Sequence, residues 1–229
     1  MTQTIRMLSS MATRQLLADL AERAMADTGV SIMAQAGGGV DVARRVREDE
    51  ACDIVVLASD AIERLIDEGL LEQNTRSDLV RSEVAIAVRA GDPHPAVGTE
   101  HELRQAVLNA ASIAWSTGPS GVYLGQLLER WGIKDALAGR IHQAPPGVPV
   151  ASLLAQGQAT LGFQQLSEMI DAPGIDVLGT LPPAIAHITV FSAAIHVRSA
   201  SGEAARAVLA SFAAADQQSL IRRHGMQPA

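Results

Sequence analysis

The first ninety residues alternate short apolar segments with segments whose apolar positions recur at helical spacing. Strands are indicated by short apolar segments at 5–8 and 54–58 and by alternation at 30–34, and helical spacing is found over 11–28, 40–48 and 61–68. A strand followed by a helix, repeated three times, predicts a parallel sheet with right-handed crossovers. Gly69 follows the third helix and is expected to end it in the left-handed conformation.

A second alternating series begins after a turn-rich break at 91–95, which follows a strand predicted at 82–89. Helices are predicted near 100–109, 120–131 and 148–156, and strands near 112–115, 140–142 and 160–163. An extended apolar run at 187–197 then precedes two closing helices near 202–214 and 216–224. The pattern therefore contains two β/α series rather than one.

Two series joined by two extended segments predict an α/β protein with two lobes and a double crossover. We expect lobe I to comprise residues 1–83 and 195–229 and lobe II to comprise residues 84–194, with hinge segments near 82–90 and 184–198. Such a layout places a hinge beside a cleft between the lobes, where small ligands usually bind.

The charge of the chain argues against a nucleic-acid partner, since a formal net charge of −7 and a pI near 5.3 disfavour a basic face for phosphates. It does not argue against a small anion, because a few backbone N–H groups at helix starts can hold one whatever the net charge. No apolar stretch approaches the roughly 20 residues of a membrane span. We therefore expect a small anionic ligand, no nucleic acid and no membrane span.

Cysteine and histidine usage argues against two further kinds of site. Cys52 is the sole cysteine, so no intrachain disulfide can form, and the apolar run after it predicts a buried or half-buried thiol without a catalytic role. The six histidines lack the spacing of zinc ligands, so we expect no metal and no cofactor. The first ten residues show no basic-then-apolar export signal, which predicts a cytoplasmic protein; a periplasmic protein whose signal peptide was removed is the alternative.

Several motifs of the first series occur together in one known family. A strand delivers small hydroxyl residues to a helix start at Leu8-Ser9-Ser10-Met11, a Thr-Gly pair precedes the second strand, and a glycine-rich turn follows it at 36–39. The stretch 53–60, with the sequence DIVVLASD, continues into IERL at 62–65 and EGLL at 68–71. These segments resemble the molybdate-binding branch of the type II periplasmic binding proteins, most strongly over residues 5–90. The resemblance implies a two-lobed fold that closes on a small anion.

Two segments depart from the pattern of that family and change the expected ligand. The family's turn after the second strand is rich in serine, whereas this chain has Gly37, Gly38 and Gly39, and the family's late tyrosine is replaced in the segment that contains Gln164 and Gln165. We therefore expect an organic carboxylate rather than molybdate. The resemblance implies a solute-binding protein like the substrate-binding component of a molybdate-type ABC transporter, with a permease partner only if the chain is exported. The alternative is an isomerase of a di- or tricarboxylic acid, since aconitate isomerase is a relative with this fold.

The candidate ligand residues of the first series lie at two strand-to-helix junctions. Ser9 and Ser10 can add hydroxyls to the free N–H groups of a helix start, although a serine there can also be a plain N-cap. Arg14 lies one turn further on and could bind a carboxylate with two hydrogen bonds, or could be a solvated surface residue. The run Gly37-Gly38-Gly39 allows the backbone to approach a ligand closely, or forms a flexible loop.

The second series offers a matching set of candidate residues at its own junctions. Hydroxyls come from Ser116, Thr117 and Ser120, and the small residue Gly121 is expected to leave room beside a helix that starts near Pro119. Further candidates are the lone tyrosine, a helix start and two amides that would suit a carboxylate: Tyr123, Gly147, Gln164 and Gln165. Packing, for the tyrosine, and helix capping with surface solvation, for the amides, are the alternatives.

An isomerase would need a group that accepts and returns a proton. His142 ends a strand predicted to face the cleft, and Glu168 follows the two glutamines; these two are the candidate acid–base residues. The chain has no G-x-S-x-G motif, so hydrolase chemistry has no support.

Overall fold

The computed structural model describes residues 3–229 and divides into two compact units. The first unit comprises the described residues up to Arg81 together with Val190–Ala229, and the second unit is Ser82–Thr189. The strands are β1 Thr4–Ser10, β2 Ser31–Gly37, β3 Ile54–Ala58, β4 Ser77–Arg89, β5 Ile113–Trp115, β6 Ile141–Gln143, β7 Leu161–Gln165, β8 Ile175–Thr180, β9 Ile188–Ile195 and β10 Met226–Pro228. The helices are α1 Arg14–Thr28, α2 Gly39–Arg47, α3 Ser59–Asp67, α4 Glu100–Asn109, α5 Pro119–Arg130, α6 Val150–Ala155, α7 Gly202–Phe212 and α8 Gln218–Arg223.

The first unit is a sheet with helices on both faces. β1 pairs in parallel with β2 and β3, and β9 runs antiparallel to β3. Alternate side chains of each strand enter separate cores: Met7 and Val56 pack with residues of α1 and α7, whereas Leu8 and Val55 pack with residues of α2 and α3. Because both faces are covered at the centre of the sheet, β3 is a continuous buried apolar run, whereas no residue of β2 is buried.

Cys52 lies in the core beneath α2 and α3, as predicted for a buried thiol. Its side chain precedes β3 and is 7% exposed. Burial, aided by the negative charge of Asp53, raises the pKa of this thiol to about 11. At neutral pH the sulfur is therefore a neutral thiol and a poor nucleophile.

The second unit has its own parallel core of strands. β5 pairs in parallel with β6 and β7, and β4 runs antiparallel to β7 and β8. Gly162 in β7 is required by packing, because an added Cβ would lie 2.7 Å from Leu154 and 2.8 Å from Val150 of α6. The helix thus sits directly on the strand, in the way that a core poor in aromatic residues allows.

The hydrogen-bonded strand order is β2-β1-β3-β9-β4-β7-β5-β6, with β8 and β10 each pairing β4. The division between the units falls inside β4, at residues 81 and 82, and inside β9, at residues 189 and 190. Both strands therefore contribute residues to both units.

The mixed α/β architecture predicted from the sequence is confirmed, and so are most of its elements. β3 and α4 have the predicted bounds, and Gly69 has a φ of 73° after α3. The predicted helix over 11–28 is interrupted, because Met11–Thr13 forms a 3-10 turn before α1. β8 and β10 were not predicted; the short β10 carries a proline, and β8 mixes half-exposed polar and apolar residues without clean alternation. In the described part of the chain, no helix is both long and apolar enough to cross a membrane.

Candidate anion-binding site

The parallel strands β1, β2 and β3 end together, and each of them leads into a helical turn. Ser10 at the end of β1 lies beside Gly37 at the end of β2, and Ser9 lies beside Val56, two residues before the end of β3. We call this set of strand ends and helix starts the first edge. Because the N–H groups of the first helical turn have no partner within a helix, three sets of donors point out of the same edge.

The two serines of β1 have different surroundings. Ser10 is the N-cap of the 3-10 turn, and its hydroxyl oxygen accepts a hydrogen bond from the backbone N–H of Ala12 at 3.3 Å. Ser9 is 1% exposed, and its hydroxyl has no hydrogen-bond partner. A buried polar group without a partner is unusual in a folded protein. A ligand oxygen at this edge would supply the partner that Ser9 lacks.

The glycine run forms the junction between β2 and α2. Gly38 is the N-cap of α2 and offers no side-chain cap, so the first-turn N–H groups are left without one. A Cβ on Gly37 would lie 3.2 Å from Val42, a tight contact, whereas one on Gly39 would meet nothing closer than 3.9 Å. The backbone here is therefore open to a ligand, which agrees with the interpretation of the run as a close-approach turn.

The third helix start of this edge was not predicted to be functional. Ser59 is the first residue of α3, and its hydroxyl lies 3.0 Å from the carbonyl oxygen of Val190 and 2.9 Å from the hydroxyl of Ser192. Ser192 in turn donates to a carboxylate oxygen of Asp78 at 2.6 Å. Ser59 comes directly after the buried strand β3 and thus lies at a strand-to-helix junction, as Ser9 and Ser10 at the end of β1 do, so the signal was present in the sequence. The contact with Asp78 spans 114 residues and could not be predicted.

Arg14 is the first residue of α1 and is exposed. Its guanidinium forms no ion pair or hydrogen bond with residues 3–229. It differs in this from Arg45 and Arg47 of the neighbouring α2, which are bound to Glu50 and Glu68. A positive charge with free donors therefore lies one turn after Ser10.

The strands β5, β6 and β7 also end together and form a second edge, in the second unit. Trp115 at the end of β5 pairs with Gln143 at the end of β6 and with Phe163 of β7. The predicted residues of this unit, Ser116, Thr117, Ser120, Gly121, Gly147, Gln164 and Gln165, lie at or just after these strand ends.

The turn between β5 and α5 is closed by its own hydrogen bonds. Ser116 accepts from the N–H of Gly118 at 3.2 Å, and its hydroxyl lies 3.4 Å from that of Ser120, which is 1% exposed. The expectation that Gly121 leaves room for a ligand is wrong. A Cβ there would lie 1.8 Å from the carbonyl oxygen of Ser116 and 2.8 Å from Trp115, so the backbone of the turn already fills that space.

The two glutamines at the end of β7 are buried and differ in their contacts. Gln164 accepts from the N–H of Val150 at 2.8 Å and donates to Glu168 at 2.7 Å, so its amide caps the start of α6. Gln165 donates to the hydroxyl of Thr189 at 2.8 Å, and its amide oxygen has no partner. Of the two, Gln165 is the residue with an atom available to a ligand.

Tyr123 is held by packing and by a backbone contact. Its hydroxyl donates to the carbonyl oxygen of Ile185 at 2.8 Å, and its ring stacks on His187 with a centroid distance of 4.3 Å. Burial lowers the pKa of His187 below its ordinary value, so the stacked ring favours the neutral form. The packing alternative for the tyrosine is the one that these contacts support.

Both acid–base candidates belong to the second unit. His142 is exposed on β6, and Glu168 is bound to Gln164. Gly147 is exposed with a φ of 80°, a conformation that favours glycine, three residues before α6. Over residues 3–229, no group of three or more His, Cys, Asp or Glu residues is arranged to hold a metal ion.

An open groove of the first unit lies away from the first edge. It is lined by the α7 start, by Gln3 just before β1 and by Glu72, whose N–H is bonded to Ile195 at the end of β9. Ile195 pairs with Ile54, the first residue of β3, so the groove lies at the amino ends of the parallel strands. Ligands of open α/β sheets bind at the opposite ends, which keeps the first edge as the candidate site.

The sequence predicted candidate residues at both edges, although it missed Ser59, and the structure brings these candidates together within each unit. Ser9, Ser10 and the glycine run share the first edge, and the residues predicted from the second series share the second edge. The prediction that both sets face one cleft stays a prediction.

Comparison with known proteins gives matches over nearly the whole chain. The protein family described as bacterial extracellular solute-binding protein matches residues 5–227. An aconitate isomerase from a Pseudomonas species is 35% identical over 188 residues, which cover 82% of this chain and 71% of that relative.

Solved structures of anion-binding proteins have the same fold. The periplasmic molybdate-binding protein of Azotobacter vinelandii superposes with a TM-score of 0.80 at 21% identity, covering 97% of this chain and 98% of that one. The sulfate-binding protein of Mycobacterium tuberculosis gives a TM-score of 0.81 at 17% identity, covering 99% and 87%. The periplasmic-binding-protein fold expected from the sequence motifs is therefore confirmed.

Proposed function

Because the chain belongs to the bacterial extracellular solute-binding protein family, we propose that it binds a small polycarboxylate anion at the first edge. The observation that carries the proposal is the convergence of three helix starts with the buried, unpartnered hydroxyl of Ser9. Backbone N–H groups and hydroxyls at helix starts are donors, and the helix dipoles favour negative charge there.

Two features of this edge favour carboxylates over a spherical oxyanion. The turn after β2 has Gly37, Gly38 and Gly39 where hydroxyl donors would surround an oxyanion, and Arg14 has free donors one turn after Ser10. A planar guanidinium matches a planar carboxylate with two parallel hydrogen bonds. The 35% identical relative is named for a tricarboxylic acid, which supports the same ligand class.

A thermal-shift screen tests this proposal directly. A ligand that binds only the folded chain raises its melting temperature in proportion to the logarithm of its concentration over Kd. We expect tricarballylate, citrate or aconitate to raise the melting temperature, and molybdate and sulfate to have little effect. Stabilisation by molybdate alone, with no response to any di- or tricarboxylate, would contradict the proposal.

Arg14→Ala is the variant that tests the carboxylate contact. It should weaken polycarboxylate binding by about 1.5–3 kcal/mol, the range for hydrogen bonds to charged groups, as measured by calorimetry. Arg222→Ala is the matched control, because Arg222 is also exposed and unpaired among the described residues but lies on α8. Equal loss of affinity in both variants would indicate a general charge effect rather than a contact.

A second candidate function is isomerisation of the bound polycarboxylate. It is favoured by the 35% identity to an aconitate isomerase over 82% of this chain. The reaction would move a proton along the ligand, with the helix-start donors stabilising the negative charge that develops on a carboxylate. Incubation with cis-aconitate followed by NMR would show the trans isomer if the chain has this activity, and a ligand that stays unchanged would exclude it.

The compartment and the transport partner are also part of the proposal. The family description as extracellular supports the periplasmic alternative and an ABC transporter permease as partner. The isomerase function needs no permease and is compatible with the cytoplasmic expectation. Cell fractionation with an antibody against the chain separates the two.

A further inference from the structure

A chain of three hydrogen-bonding side chains connects the first edge with a carboxylate. The hydroxyl of Ser59 lies 2.9 Å from the hydroxyl of Ser192, which donates to Asp78 at 2.6 Å. An ionised carboxylate only accepts hydrogen bonds, and a serine has one proton to give. Because Ser192 gives its proton to Asp78, the proton in the Ser59–Ser192 contact comes from Ser59, which shares it with the carbonyl oxygen of Val190 at 3.0 Å. The chain therefore has one direction, from Ser59 to Asp78.

This direction determines what Ser59 can offer to a ligand. Its single proton is taken up inside the protein, by Ser192 or by the carbonyl oxygen of Val190 at 3.0 Å. The lone pairs of its oxygen remain as acceptors at the start of α3. The oxygen of Ser59 can therefore receive a proton while its own proton passes along the chain to Asp78.

The location of the three residues suits transfer from the site to the surface. Ser59 begins α3 at the first edge, Ser192 is fully buried, and Asp78 is about half exposed. Asp78 lies 3.4 Å from Arg76, whose guanidinium also binds Glu63 at 2.6 Å. The buried hydroxyl links an acceptor at the edge to a solvated carboxylate that can hold the proton.

We propose that Ser59, Ser192 and Asp78 form a proton relay in which Ser59 removes a proton from a carbon atom of the bound polycarboxylate. The inference rests on the isomerase function proposed above and identifies its base. Ser59 is the catalytic residue, and Ser192 and Asp78 act through it. The relay replaces His142 and Glu168 as the acid–base group.

The relay accounts for an allylic shift with every proton and electron pair assigned. A CH₂ carbon of an unsaturated polycarboxylate loses a proton to the oxygen of Ser59, while the proton of Ser59 passes to Ser192 and that of Ser192 to Asp78. The electron pair of the broken C–H bond spreads over the three-carbon unit and its terminal carboxylate, near the N–H groups of α3. Reverse transfer places a proton on the far carbon, and the double bond has moved without any oxidant or other reactant.

The same hydrogen bonds could serve only to fasten α3 to β9, so the test must separate structure from chemistry. Cis-aconitate is incubated with each variant in D₂O, and proton NMR follows isomerisation and deuterium uptake into the CH₂ group. Calorimetry measures the affinity of the same ligand, and circular dichroism the unfolding transition. A structural role changes stability, whereas a relay changes the rate at saturating ligand.

Asp78→Asn and Ser192→Ala are expected to lower kcat and deuterium uptake at least tenfold and to leave Kd within about twofold, since general base catalysis contributes roughly 10²–10⁴-fold. Asp78→Glu should restore most of the rate. Asp19→Asn is the matched control, because Asp19 is a partly exposed aspartate on α1 that binds Arg223 and His224 outside the relay and outside the helix starts of the first edge. Its rate should equal that of the unchanged chain.

Each contrary result has a separate meaning. Isomerisation that is unaffected by Asp78→Asn and Ser192→Ala overturns the relay while the isomerase function stands. Binding of cis-aconitate by the unchanged chain without isomerisation or deuterium uptake overturns both the relay and the isomerase function, while polycarboxylate binding stands. Absence of any polycarboxylate binding overturns the proposed function as well.

Discussion

The first and second edges are built on the same plan and use their polar groups differently. In each, three parallel strands end together and lead towards helical turns. At the first edge, α2 and α3 begin without side-chain caps and the hydroxyl of Ser9 has no partner. At the second edge, Ser116 closes its own turn and Gln164 caps α6, and the amide oxygen of Gln165 is left without a partner.

The comparison teaches that a strand-to-helix junction is not by itself an anion site. What distinguishes the two edges is the kind of group left unsatisfied after folding. The first edge leaves the hydroxyl of Ser9 without a partner, whereas the second edge leaves the amide oxygen of Gln165, which only accepts hydrogen bonds, and the hydroxyl of Ser167 just after β7. The polar atoms of Ser116 and Gln164 are already bonded within the protein, so substitutions of these two residues should act on stability before they act on binding.

The largest expected effect tests the packing of the second edge. Gly121→Ala forces a Cβ against the backbone of Ser116 and should lower the free energy of unfolding by about 3 kcal/mol, the upper part of the usual range for overpacking. Gly125→Ala in the same helix is the control, because nothing lies within 4 Å of its added Cβ. It should stabilise α5 by up to about 1 kcal/mol. Urea unfolding measures both, and equal effects would show that the turn is not closed.

The next effect separates capping from ligand contact at Gln164. Gln164→Leu leaves the buried N–H of Val150 without its acceptor and should cost about 2 kcal/mol of stability. Ligand affinity, measured by calorimetry at a temperature where the variant is folded, should not change. Gln158→Ala, on an exposed side chain, is the control for the loss of an amide. Lost affinity with unchanged stability would move Gln164 into the binding site.

A smaller effect is expected at the first edge, where a substitution should change ligand affinity rather than stability. Ser9→Ala removes a buried hydroxyl without a partner, so stability should be unchanged or slightly higher, while ligand binding weakens by about 1 kcal/mol. Ser10→Ala should instead cost about 1 kcal/mol of stability, because it removes a helix cap. If Ser9→Ala destabilised the fold and left binding intact, the hydroxyl would have a structural partner.

The smallest effect concerns the stacked pair of the second unit. The pKa of His187 is lowered by burial, so the unfolded chain takes up a proton at higher pH than the folded chain does. This contribution to stability is complete above about pH 6.5 and is lost as the pH falls from there towards the folded-state pKa. His187→Asn should flatten the dependence of the urea midpoint on pH between 5 and 7. An unchanged slope would mean that the ring is solvated.

Much of the fold could be predicted because apolar spacing reports local structure. β3 is an unbroken buried run, and Gly69 ends α3 where its φ is positive, so both were read correctly. β8 escaped prediction because it lies half exposed against β4, and its polar residues mask the alternation.

The site was predicted less completely, because hydrogen-bond partners far apart in sequence leave no pattern. The sequence identified Ser9 and Ser10 by their junction, and the same rule applied to Ser59 would have added it. Nothing local connects Ser59 with Ser192 or Asp78. Sequence reasoning also expected space beside Gly121, since a missing side chain does not reveal whether backbone or ligand fills the gap.

The buried thiol of Cys52 can report on the opening of the first unit. A single cysteine that is 7% exposed and has a pKa of about 11 reacts with a maleimide only when the core beneath α2 and α3 opens. The labelling rate in the folded chain therefore counts opening events of this unit alone, since residues 82–189 carry no thiol. Ligand bound at the first edge should slow that rate. Mass spectrometry of the maleimide adduct would therefore report the ligand occupancy of this edge without any engineered probe.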